Sequence, residues 1–101
     1  MKYTSYFRRF SIFDYIKSIY LGVIEHTADI KELISANLVN YTTERLFKAD
    51  LAILIYGVYE LKFTDEESKI VINEAVELAK KYSDEKSPSF INGVLAKILN
   101  N

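Results

Sequence analysis

The chain has 101 residues, half of them hydrophobic, with 13 basic and 14 acidic side chains and a net charge of −1. That length suits one domain, 1–101, with enough apolar material for a core, and the near-neutral balance excludes a global pull on nucleic acid or acidic lipid. The absence of cysteine excludes disulfides and thiolate metal sites, and the longest apolar run, residues 51–59, is too short to cross a bilayer. No signal-peptide block opens the sequence, so a cytoplasmic location is expected.

Three glycines and one proline are too few for a turn-rich β protein. The apolar residues recur at helical spacing instead. Ile12, Phe13, Ile16, Ile19, Tyr20 and Val23 form a first stripe, and Ile30, Leu33, Ile34 and Leu38 a second. Residues 46–61 are apolar nearly all round, which predicts a helix buried on most sides. Val71, Ala75, Leu78, Ala79 and Tyr82 line a fourth helix, and Ile91, Val94, Leu95, Ile98 and Leu99 a fifth. The expected fold is all-α, a five-helix bundle. Thr64 and Glu67 are spaced as a capping box for the fourth helix. Ser87 before Pro88 is spaced as the cap of the fifth, and Thr27 and Thr42 suit weaker caps.

Catalytic chemistry finds no foothold. His26 is the only histidine, and with Glu25 and Asp29 it would make a metal site lacking a second nitrogen ligand. A solvated histidine at a helix end is the plainer reading. The acids 65–67 are accounted for by capping, and no phosphate loop, catalytic triad or nucleophilic cysteine is present. The expectation is a binding protein, not an enzyme, without cofactor or metal. Seven of the fourteen aromatic residues fall within the first twenty positions, interleaved with Arg8, Arg9 and Lys17. They suit either stacking on bases beside phosphate-binding cations or a core with a solvated basic flank.

Two motifs carry a resemblance. Ile72, Asn73, Glu74, Ala75, Val76, Glu77, Leu78, Ala79 and Lys80, followed after a short connection by Ser87, Pro88, Ser89, Phe90, Ile91, Asn92, Gly93, Val94 and Leu95, closely resemble the signature of the NusB family. Upstream, Asp50 to Leu54 and then Val58, Tyr59, Glu60 and Leu61 resemble that family's central helix. The strong part covers about residues 49–98, and weaker similarity runs back to about Tyr15. Gly93 inside a helix costs ~1 kcal/mol against alanine, which suggests close approach of another backbone there. Asn73 and Asn92 are expected as ties between helices.

The resemblance implies an all-helical protein that binds boxA-type RNA together with the small ribosomal protein NusE, in transcription antitermination and ribosomal RNA synthesis. A related helical domain is fused to an RNA cytosine methyltransferase, so a stand-alone relative of that domain is one alternative. A homo-oligomeric scaffold that has lost RNA binding is the other. Family members open with an arginine-rich arm and two further helices, which this chain is expected to lack. They also carry arginine at the positions of Leu51 and Ile55, and often a basic residue at Ser89. Fewer phosphate contacts imply weaker RNA binding. Carried over by position, Phe90 and Asn92, with Lys80, Lys81 and Lys86 nearby, are expected at RNA, and Glu44 and Asp50 at the protein partner. Leu51, Ile55, Phe10 and Phe13 are expected to meet a second copy in a homodimer.

Overall fold

The computed structural model describes residues 12–39 and 42–100. Among these residues five α-helices follow one another: α1 (Ile12–Glu25), α2 (Thr27–Ala36), α3 (Lys48–Phe63), α4 (Ser68–Tyr82) and α5 (Ser87–Asn100). A one-turn 3₁₀ helix, Thr43–Arg45, precedes α3, and no strand occurs among the described residues. The all-α architecture expected from the apolar spacing is the one found.

The helix that is apolar nearly all round takes the middle. α3 packs against α1, α2, α4 and α5, because no single neighbour could cover its circumference. Ile53, Leu54 and Val58 of α3 join Ile30 and Ile34 of α2, Ala75 and Ala79 of α4, and Ile91, Val94, Leu95 and Ile98 of α5 in one buried cluster. Two glycines let helices close on α3 or from it. A Cβ at Gly57 would stand 3.0 Å from Leu95 Cδ1, and one at Gly22 would stand 2.6 Å from Tyr59 Cζ. Gly93, by contrast, has nothing within 4 Å of a built Cβ. The close approach expected there occurs at Gly22 and Gly57 instead.

That contact at Gly22 also sets how α1 is turned. Ile19, Gly22 and Val23 are half-buried toward the bundle, whereas Ile16 and Tyr20 remain exposed. The first stripe is therefore only partly covered, since its apolar arc is wider than the strip of α1 that meets α3. Leu51 and Ile55, expected on an open face, are half-buried and pack against the core cluster. Phe10 and the side chain of Phe13 lie outside the described residues.

The predicted caps are corrected in the same way. The Thr64 hydroxyl donates to the Glu60 carbonyl at 2.7 Å and accepts the Glu66 N–H at 3.2 Å. It closes α3 and does not open α4, whose N-cap position is held by Glu67 without a side-chain cap bond. Ser87 is the first residue of α5, and its hydroxyl is engaged elsewhere. Thr27 opens α2 with its hydroxyl turned back to the Val23 carbonyl at 2.7 Å. Thr42 precedes the 3₁₀ turn without a cap bond. Asn73 and Asn92 are exposed, so neither ties helices together.

Candidate nucleic-acid interface

At the start of α3 a carboxylate is buried. Asp50 is 4% exposed, and an uncompensated charge there would be costly. Its two oxygens are met by two hydroxyls from the connection between α4 and α5. Ser83 donates to Oδ1 and Ser87 donates to Oδ2 at 3.0 Å. The two serine oxygens are themselves 3.0 Å apart. Position in the first turn of α3 adds the favourable end of the helix dipole. The Asp50 latch therefore pins the turn between α4 and α5 to the start of α3. Asp50 was expected at a protein partner. Its burial makes it a fixture of the fold.

The latch forms the floor of a cleft of about 270 Å³ lined by Arg45, Leu46, Phe47, Asp50, Asp84, Lys86, Ser87 and Phe90. Phe90 stands one turn into α5 and is half-buried against the core. Phe47, at the N-cap position of α3, is 61% exposed. Arg45 and Lys86 supply the cations, and Asp84 stands among them with its Oδ1 accepting the Glu85 N–H at 2.8 Å. An aromatic surface with flanking cations suits a base and its phosphate. The neighbouring carboxylates limit the net attraction.

Of the five residues expected at RNA, Lys86 and Phe90 meet in this cleft, and the other three do not line it. Lys80 is exposed and paired with Glu77 at 3.0 Å. Lys81 lines a separate open groove of about 610 Å³ between α3 and α4, with Tyr56, Asn73, Glu74, Glu77 and Leu78. Glu44 is exposed on the 3₁₀ turn beside the cleft. A backbone hydrogen bond first, then the Thr42 hydroxyl, with a smaller contribution from Lys31, holds its carboxyl below the usual range. Arg45 and Phe47 were missed from the sequence because they read as the approach to an apolar helix. Ser83 was missed because only the fold brings it to Asp50. His26 sits at the junction of α1 and α2, half-buried and stacked on Phe63 with ring centroids 4.0 Å apart. No cluster of three metal-binding side chains occurs among the described residues.

Residues 11–100 match the sequence profile of the NusB family. The chain belongs to the NusB family. A transcription antitermination protein NusB of Clostridium botulinum (strain Kyoto / Type A2) is 53% identical over 87 residues, 85% of this chain and 61% of the relative. One from Listeria monocytogenes serotype 4a (strain HCC23) is 46% identical over 84% of this chain and 67% of its own length. The chain thus spans about three-fifths of the length of the Clostridium NusB proteins. Among solved structures, T. maritima NusB is similar at a TM-score of 0.78 and 34% identity, over 83% of this chain and 60% of that one. A chain in a crystal structure of a plectonemic RNA supercoil is similar at a TM-score of 0.80 and 33% identity, over 86% and 64%. The NusB fold accordingly accounts for most of the bundle.

Proposed function

We propose that this chain is a NusB-like interaction module of transcription antitermination and ribosomal RNA synthesis, which binds boxA-type RNA weakly and a protein partner of the NusE kind. It works by binding and not by catalysis, and its place is the cytoplasm. No described helix is long and apolar enough to cross a membrane.

One observation supports the RNA site: two residues of the signature region, Lys86 and Phe90, meet Arg45 and Phe47 around one cleft. Two cations beside two carboxylates suit modest affinity, with the aromatic rings contributing by stacking. Glu44, ionised and exposed at the rim, is the residue offered to a basic protein partner.

The test is fluorescence anisotropy with a labelled boxA-like RNA of about 12 nucleotides, since single-strand sites run ~4–16 nucleotides. Wild type should bind at moderate salt. Phe90→Ala should weaken binding by ~1–3 kcal/mol, the value of one base–aromatic stack. Equal binding by both, or none by either, rejects the site. Glu44→Lys should weaken NusE binding and leave the affinity for RNA alone unchanged or higher.

A further inference from the structure

We propose that the hydrogen-bonded set of Asp50, Ser83 and Ser87 fixes the two walls of the cleft relative to each other for a bound nucleotide, with Ser83 a positioning residue that does not touch the RNA. The proposal deepens the RNA reading of this cleft and rests on it for the ligand.

The walls come from distant parts of the sequence. Arg45, Leu46 and Phe47, just ahead of α3, make one. Asp84 and Lys86, from the connection between α4 and α5, make the other with Phe90 of α5. Each wall is braced within itself. The Leu51 N–H donates to the Phe47 carbonyl at 3.0 Å, the Ser87 N–H to the Asp84 carbonyl at 3.0 Å and the Phe90 N–H to the Lys86 carbonyl at 3.3 Å. None of these bonds crosses the cleft. The Asp50 carboxylate does, from the first turn of α3 to the hydroxyls of Ser83 and Ser87. Ser83 is the C-cap of α4 and Ser87 the first residue of α5. The short span that carries Asp84 and Lys86 is thus held at both ends by one side chain. Ser83 itself does not line the cleft.

Stability alone does not account for this arrangement. Taking a carboxylate out of water is costly, and a buried polar set is often no more stabilising than apolar side chains of similar volume. What a satisfied hydrogen-bonded network supplies is one arrangement of the groups it joins. Here those groups are the two sides of a cleft. A nucleotide gains from Arg45 and Phe47 on one side and Lys86 and Phe90 on the other only if their spacing suits both at once. Walls fixed before binding lose less freedom on association, and residues behind a site act in this way without contacting the ligand. Ser83 is the member whose loss the fold can bear. It is half-buried, and the buried Ser87 stays on Asp50 without it.

The experiment compares Ser83→Ala, Ser83→Thr, Phe90→Ala and the double variant Ser83→Ala with Phe90→Ala. Gly22→Ala serves as a variant destabilised away from the cleft. Binding of a labelled boxA-like RNA of about 12 nucleotides is followed by anisotropy, and amide exchange is followed without RNA. Ser83→Ala should weaken binding about three- to tenfold, the effect of ordering one or two side chains on association. Ser83→Thr keeps the hydroxyl and should bind as wild type does. In the Phe90→Ala background Ser83→Ala should add little, since residues that act through one another are not additive. Gly22→Ala should retain full affinity. Without RNA, Ser83→Ala should speed exchange at the Leu51, Ser87 and Phe90 amides about tenfold, as for one lost hydrogen bond to a charged group, and leave the middle of α4 unchanged. Full RNA affinity in Ser83→Ala, an equal loss with and without Phe90, the same loss in Gly22→Ala, or exchange that rises evenly along the chain overturns the proposal. Those results leave Phe90-dependent binding by wild type intact. A wild type that does not bind, or that binds equally after Phe90→Ala, is the separate failure of the RNA site and takes the proposal with it.

Discussion

Asp50 shows how one buried charge can organise a surface. Its carboxylate is satisfied by hydroxyls 33 and 37 residues away, so removing it takes the charged acceptor from the buried Ser87 and the half-buried Ser83. Hydrogen bonds to charged groups are worth ~1.5–3 kcal/mol, and Asp50→Ala should lose about 2–3 kcal/mol in urea denaturation. Ser83→Ala, which removes one of the two donors, should lose less. Two glycines make a sharper comparison. Gly22→Ala gains ~1 kcal/mol of helix propensity but drives a methyl into the Tyr59 ring, and overpacking costs ~1–3 kcal/mol. It should be net destabilising, and in a Tyr59→Leu background the same change should become neutral or stabilising. Gly93→Ala meets open space and should stabilise by ~0.5–1 kcal/mol. Equal effects at the two positions would contradict the packing described.

Among the elements, α1 and α3 are opposites with nearly the same apolar character. α3 is enclosed by four helices, whereas α1 rests mainly on α3 among the described residues and leaves Ile16, Tyr20, Leu21 and Ile24 exposed. Local opening free energy follows packing. Amide exchange at low protein concentration should therefore be fastest in α1 among the helices and slowest in the middle of α3. Uniform protection along the chain would contradict that ordering. The helix ends tell a related story. Thr64 and Ser87 are good capping residues in sequence, yet one terminates the previous helix and the other binds Asp50. A hydroxyl close to two helix ends has several acceptors within reach, and which one it takes depends on where the helices sit.

For the whole molecule, the balance of charge around the cleft sets the RNA response. With Arg45 and Lys86 as the cations, the plot of log affinity against log salt should have a slope near −1.4, at ~0.7 per phosphate contact on single strands. Lys86→Ala should reduce that slope by about half. A slope several times steeper would mean that cations outside the cleft take part.

Residue types and their spacing determined the all-α class, the number of helices, the central place of α3 and membership of the NusB family. Each of these depends on patterns repeated over many residues, so a few misread positions do not change the outcome. Tertiary structure alone decided which part of the apolar arc of α1 is covered, because periodicity states that a face is apolar and not what lies against it. It also decided that Asp50 is buried, that Lys86 and Phe90 share a cleft with Arg45 and Phe47 while Lys80, Lys81 and Asn92 do not, and that Leu51 and Ile55 pack inward. Those are relations between residues from different helices. The rotation of each helix about its own axis fixes them, and that rotation is set by single contacts such as Gly22 against Tyr59, which leave no periodic trace in the sequence.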